Sequence, residues 1–186
     1  ARKETDLDAL RQIPNVLPIK LDVTSDQDVR QGLVRIGQGL PRHAGRVPHP
    51  QDLHITLVFL GPVALEQYDC VLAAGRQTQV APFDLIIDQV GYWKRPRILW
   101  CAPEQTPAAL SELVSGLQNE LAGCGFPPEK RPYSPHITLA RKARPVPAQI
   151  LSQPLHWRVA DLVLVASHTG VRPPRYQVIK KWALDS

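Results

Sequence analysis

His54-Ile55-Thr56-Leu57 and His136-Ile137-Thr138-Leu139 are the same four residues written twice, with 136 − 54 = 82 positions between their histidines. A strand sends residues i and i+2 to one face. In each copy His and Thr therefore look one way, while Ile and Leu look the other way, into a core. A lone His-x-Thr triplet carries little weight. A repeat that also keeps its apolar companions divides the chain into two related halves. Each half holds strands and a helix, which predicts an α+β domain of two pseudo-symmetric lobes, each an antiparallel sheet with helices on its outer face, around a central cleft.

Outward from the first copy, residues 53–60 read as a strand stopped by Gly61-Pro62. Residues 41–52 read as a proline-punctuated loop holding Arg42, His43, Arg46 and His49. Before that loop, residues 16–23 are a strand, and Ser25 with Asp28 forms a capping box for a helix with Val29, Leu33, Ile36 and Leu40 on one face. Residues 64–79 have helical character. Residues 83–92 and 98–102 form a hairpin through the basic turn Trp93-Lys94-Arg95-Pro96-Arg97. Thr106 caps a helix that has Pro107 at its first position and Leu110, Leu113, Val114, Leu117 and Leu121 at helical spacing. A Pro/Gly-rich loop over 123–135 precedes the second motif strand, 135–140, and residues 155–167 and 175–184 are two more strands.

A chain of 186 residues that is 44% hydrophobic is sized for one domain with a real core. Residues 1–15 read as a flexible N-terminal extension and 16–186 as the two-lobed domain. Apolar runs such as Leu162-Val163-Leu164-Val165-Ala166 are far shorter than the roughly 20 residues that cross a bilayer. The charged opening residues lack the apolar core of a secretory signal, so the expected location is cytoplasmic, without membrane association; the chain is also expected to be a monomer. Cys70, Cys101 and Cys124 are widely spaced, form no Cys-x-x-Cys pair, and read as ordinary thiols. A net charge of +5 favours anionic partners without choosing among them.

Two imidazoles and two hydroxyls converging on one groove suit phosphate chemistry. Opening a 2′,3′-cyclic phosphodiester needs a base for water, an acid for the leaving ribose oxygen, and donors for the phosphoryl oxygens. With an unperturbed pKa of about 6.5, one histidine can be neutral while the other is protonated, which predicts a bell-shaped pH profile. Thr56 and Thr138 supply hydroxyl donors. No acidic residue lies within the two motifs or directly beside them on the strand face, so neither a metal ion nor another cofactor is expected.

At these residues the chain resembles the two-histidine phosphoesterase superfamily, and within it the LigT-like RNA 2′,3′-cyclic phosphodiesterases, also called 2′-5′ RNA ligases. The likeness runs from about Val16 to Leu184 and takes in His54 to Gly61, Leu99-Trp100, Pro135 to Arg141, and Leu162 to Ser167 with Arg175-Tyr176. It implies two α+β lobes around a water-filled cleft and hydrolysis of cyclic RNA ends, or of small cyclic nucleotides, to a 2′-phosphomonoester. Some members also join ends through a 2′-5′ bond. It also implies that His54 protonates the 3′ leaving oxygen and His136 activates water, although strand direction, unreadable here, leaves the reverse assignment open. Arg141 resembles the family's phosphate-contacting arginine. Trp93, Tyr133 and Trp100 are candidates to stack a terminal base. The first strand departs from the family's aromatic and small residues by carrying Pro18 and Lys20. His43, His49, His156 and His168 read as solvated. A non-catalytic nucleotide or RNA-end binding module of the same fold is the competing reading.

Overall fold

The computed structural model describes residues 17–22, 26–39, 45–168 and 172–185. Among these residues, eight strands, β1 (Leu17–Asp22), β2 (His54–Gly61), β3 (Phe83–Trp93), β4 (Ile98–Ala102), β5 (Ile137–Arg141), β6 (Gln149–Val159), β7 (Asp161–Ser167) and β8 (Tyr176–Ala183), accompany three α-helices. The helices are α1 (Gln27–Gly39), α2 (Tyr68–Gln77) and α3 (Ala108–Ala122). All strand neighbours are antiparallel, in the order β6-β3-β4-β5-β2-β1-β7-β8.

The α+β class stands, with a different relation between the halves. The motif strands do not face each other from separate sheets. They are neighbours at the centre of one sheet, joined by the single pair Ile55–Ile137. On one side of this seam lie β2, β1, β7 and β8, and on the other β5, β4, β3 and β6.

The helices cross over between these units. Helix α1, which links β1 to β2, packs on β5 and β6, whereas α3, which links β4 to β5, packs on β2. Gly32 permits the first contact, because a Cβ there would collide with the Leu155 side chain. The lobes are therefore interleaved in the chain rather than being its two halves.

Alternation explains the core. Ile19, Leu21, Ile55, Leu57, Ile137 and Leu139 are at most 3% exposed, and the residues between them face the opposite side of the sheet. The four predicted leucines and the valine of α3 are all buried.

Several local expectations are corrected. Helix α1 is capped by Asp26, whose carboxylate accepts the N–H groups of Asp28 and Val29; Ser25 lies outside the described residues, as do Val16, Val23, Leu40, Arg42 and His43. Pro107 itself is the N-cap of α3, so Thr106 plays no capping part. The segment 155–167 is two strands, β6 and β7, broken at Ala160. Cys70 and Cys124 are not thiols: they form a disulfide between α2 and the turn that follows α3, with Cα atoms 5.7 Å apart, and Cys101 is the buried free cysteine. Among the described residues no helix is long and apolar enough to cross a membrane.

Candidate active site

With Ile55 opposite Ile137 in an antiparallel pair, His54 lies alongside Thr138 and Thr56 alongside His136. The four predicted residues thus share the sheet face that the core leaves free, and all four are half-buried. Rows of neighbours extend this pattern. Asp22 pairs with His54 and Trp100 with Thr138, while Lys20 pairs with Thr56.

The two histidines are held alike. His54 Nδ1–H donates to the carbonyl of Asp52 at 2.6 Å, and His136 Nδ1–H to that of Ser134 at 2.9 Å, in each case two residues upstream. A carbonyl only accepts, so Nδ1 carries the proton and Nε2 keeps the lone pair in the neutral ring. Each ring also meets an aromatic edge to face. His54 lies 4.8 Å from the Tyr176 ring at 74°, and His136 lies 4.5 Å from Trp93 at 73°.

Different cavities flank the two rings. Beside His54 is one of about 470 Å³ walled by Thr138, Arg46, Arg141, Lys142, Arg175 and Tyr176. Beside His136 is an aromatic slot of about 180 Å³ lined by Trp93, Trp100 and Tyr133, with Gln89, Glu104 and Thr106 at its polar edge. Trp93 and Trp100 are 5.5 Å apart, and Tyr133 is anchored by its hydroxyl, which donates to the Thr56 carbonyl at 3.1 Å. The predicted Arg141, Tyr133 and Trp93 therefore all stand at the site, Arg141 by one histidine and the aromatics by the other. Trp100 packs over Gly91, where a Cβ would collide with the indole.

Electrostatics alters one expectation. Burial, followed by the charge of Lys20, lowers the His54 pKa to about 3; Arg141 and His136 push the same way, and the Asp52 hydrogen bond opposes them. Burial also lowers that of His136, opposed by the Ser134 carbonyl and helped by Arg141. Both rings are therefore neutral in the free protein at pH 7, rather than one neutral and one charged. A bound phosphate anion acts in the opposite direction on both.

Lys20 is the residue that sequence reading noted only as a departure. It is 2% exposed, with Nζ 3.4 Å from the centroid of the Tyr176 ring, and burial lowers its pKa to about 8 against the opposing influence of Asp22 and Asp52. Its position between Ile19 and Leu21 was the available signal, since period two places it on the motif face.

Asp52 was missed as well. One carboxylate oxygen accepts the N–H groups of Arg175 and Tyr176, tying the start of β8 to the residue whose carbonyl orients His54. Acidic residues do flank the first motif, then, contrary to the sequence reading. Among the described residues no three His, Cys, Asp or Glu side chains gather into a group that could hold a metal ion. Of the remaining histidines, His156 is exposed; His49 accepts the Gln51 N–H and His168 is bonded to Gln177, both half-buried rather than fully solvated.

Comparison with known proteins converges on this geometry. Residues 29–171 match the 2′-5′ RNA ligase superfamily. The chain is 37% identical over 147 residues to the RNA 2′,3′-cyclic phosphodiesterase of Escherichia coli, covering 77% of this chain and 82% of that protein. It is 33% identical over 171 residues to the enzyme of the same name from Thermus thermophilus, covering 85% of each. The crystal structure of E. coli LigT complexed with 3′-AMP superposes with a TM-score of 0.84 at 30% identity, covering 93% of this chain and 99% of that one.

Proposed function

The chain belongs to the 2′-5′ RNA ligase superfamily, and from that membership and its paired histidines we infer that it hydrolyses RNA 2′,3′-cyclic phosphate ends. The observation that carries the reading is the placement of two Nδ1-anchored imidazoles on adjacent strands, each beside the other motif's threonine.

His54, His136, Thr56 and Thr138 are the proposed catalytic set. One imidazole takes a proton from water as its oxygen attacks phosphorus. The other, charged once the phosphate anion sits beside it, gives a proton to the departing 3′ oxygen. The threonine hydroxyls donate to the non-bridging oxygens, where charge builds. Arg141 neutralises the phosphoryl group, and Trp93 and Tyr133, with Trp100, stack the terminal base. None of these roles calls for a metal or other cofactor. The same groups serve 2′-5′ joining, in which a 5′-hydroxyl takes the place of water: its oxygen bonds to phosphorus as the P–O3′ bond of the cyclic end breaks, its proton passes to the base, and O3′ takes one from the acid.

We propose a monomeric enzyme in the cytoplasm, the location expected from its charged opening residues. The Cys70–Cys124 disulfide weighs against a reducing compartment, so the redox state of that pair in cell extracts tests the location.

The activity is tested with an oligonucleotide ending in a 2′,3′-cyclic phosphate, incubated with protein in excess chelator. A 2′-phosphomonoester is the expected product. Absence of product at every pH from about 5 to 8, with binding retained, would leave the chain as an RNA-end binding module.

A further inference from the structure

We propose that the basic cavity beside His54 seats the sugar–phosphate backbone on the 5′ side of the cyclic end, so that the RNA terminus lies with its base toward His136 and its preceding phosphates toward His54. The proposal rests on the hydrolase reading above and adds the direction in which the strand crosses the site.

The first support is charge. Arg46, Arg141, Lys142 and Arg175 line the cavity, and among the described residues none of the four takes part in an ion pair. Asp52 also lines it, but one of its carboxylate oxygens already accepts two backbone N–H groups. Like charges gathered around one concavity repel and concentrate anions.

The second support is that these positions are built rather than loosely held. Arg46 and Arg141 exchange backbone hydrogen bonds of 2.7 and 2.9 Å, and Gly45, at φ +98°, lies where a Cβ would collide with the Arg141 carbonyl oxygen. Arg97 donates to the carbonyls of Lys142 and Ala143, fixing Lys142 at φ 55°. The cavity, at about 470 Å³, also has room beyond a single phosphate.

The third support is the contrast across the seam. The slot at His136 is aromatic and carries Glu104, which repels a phosphodiester and suits a base. In a ribose, the carbon bearing O2′ adjoins the base-bearing carbon, and the carbon bearing O3′ adjoins the one carrying the 5′ arm. A base in the slot and a 5′ arm in the cavity therefore turn O3′ toward His54.

The chemistry then has a direction. A water oxygen bonds to phosphorus as the P–O3′ bond breaks; His136 takes the proton from water, His54 gives one to O3′, and the phosphate stays on O2′. This supplies a structural reason for the roles that the family resemblance implies. Backbone phosphates among the cations also offset the push that Arg141 exerts against a charged His54.

The test compares kcat/KM for a cytidine 2′,3′-cyclic mononucleotide with that for a trinucleotide ending in the same nucleotide. At low salt the trinucleotide is expected to be favoured by about tenfold or more. Its log–log salt slope should be steeper by about 1.4, from two further phosphates at about 0.7 each. The double variant R46Q/K142Q is scored by the trinucleotide-to-mononucleotide ratio, so that a uniform loss from poor folding cancels; the ratio should fall at least about fivefold.

Equal kcat/KM for the two substrates would overturn the proposal and leave the hydrolase reading standing. A trinucleotide advantage that survives the double variant would overturn the assignment to this cavity. If neither substrate turned over, the hydrolase reading would fail. The affinity ratio of a 2′-phosphorylated trinucleotide over the 2′-mononucleotide would then decide the cavity by itself, a ratio of one counting against it.

Discussion

Replacing Lys20 with methionine should make the protein more stable and its first histidine more basic. Lys20 is 2% exposed and its pKa falls from 10.5 to about 8, so holding the ammonium charged in the fold costs about 3 kcal/mol at neutral pH. The contact with the Tyr176 ring returns about 1–2 kcal/mol of this. The net gain on substitution is therefore about 1–2 kcal/mol, or roughly 3–6 °C in Tm for a domain of this size. The sign in pH follows from linkage. Between about 8 and 10.5 the unfolded lysine is protonated and the folded one is not, so the native protein gains stability as pH rises and the variant's advantage fades across that window. The effect on His54 is Coulombic. Lys20 pairs with Thr56, which places it diagonal to His54, at about 7–8 Å. At an effective dielectric of about 20, that is about 2 kcal/mol, reduced by Asp22 and Asp52 to about one pH unit. The assays are thermal unfolding from about pH 6 to 10.5 and NMR titration of the histidine ring protons. A variant no more stable than the native protein at pH 7, with an unmoved His54 midpoint, would refute both the buried charge and its coupling to the site.

Four further outcomes are expected. The optimum of kcat/KM, which reports the free protein, should fall on the acid side of pH 6.5 because both imidazoles are lowered, whereas that of kcat moves toward neutral once the phosphate anion is bound. His54→Ala or His136→Ala should each lower kcat by about 10²-fold or more in a cyclic-phosphate assay, and Thr138→Val should lower it with little change in Tm; an unaltered rate would remove that residue from the set. Gly45→Ala, at positive φ and against the Arg141 carbonyl, should destabilise by roughly 1–3 kcal/mol, read by denaturant unfolding, with Gly37→Ala on the open surface of α1 as the mild control. Reduction of Cys70–Cys124, which are separated by 54 residues, should lower stability by about 4 kcal/mol on the chain-entropy account, seen as a lower Tm in reductant.

The linkage of His54 adds a condition to any acid measurement. Its folded pKa lies below the unfolded value, so the unfolded state binds the extra proton between pH 6.5 and about 3, and stability is lost as pH falls through that range. Activity lost at low pH must therefore be separated from unfolding by following both in one buffer series.

The repeated His-Ile-Thr-Leu was enough to single out the four residues of the proposed catalytic set and the side of each strand they occupy, because a strand's period of two is a local property of the backbone. The same periodicity, with the leucine pattern of α3, made most elements legible, and the residues shared with the family carried the fold class. What required tertiary structure was every relation between distant segments. Sequence does not state that Ile55 faces Ile137, and on that one pairing depends which threonine each histidine meets. Nor does it state that α1 and α3 cross to the opposite units, or that Cys70 and Cys124 meet. Lys20 looked like a departure in a first strand, and only the start of β8, tied down by Asp52, turned it into a charge held under Tyr176 near His54. Periodicity sets the face a side chain takes, but its neighbours on that face are decided by strand register and chain crossing, which depend on how the whole core packs.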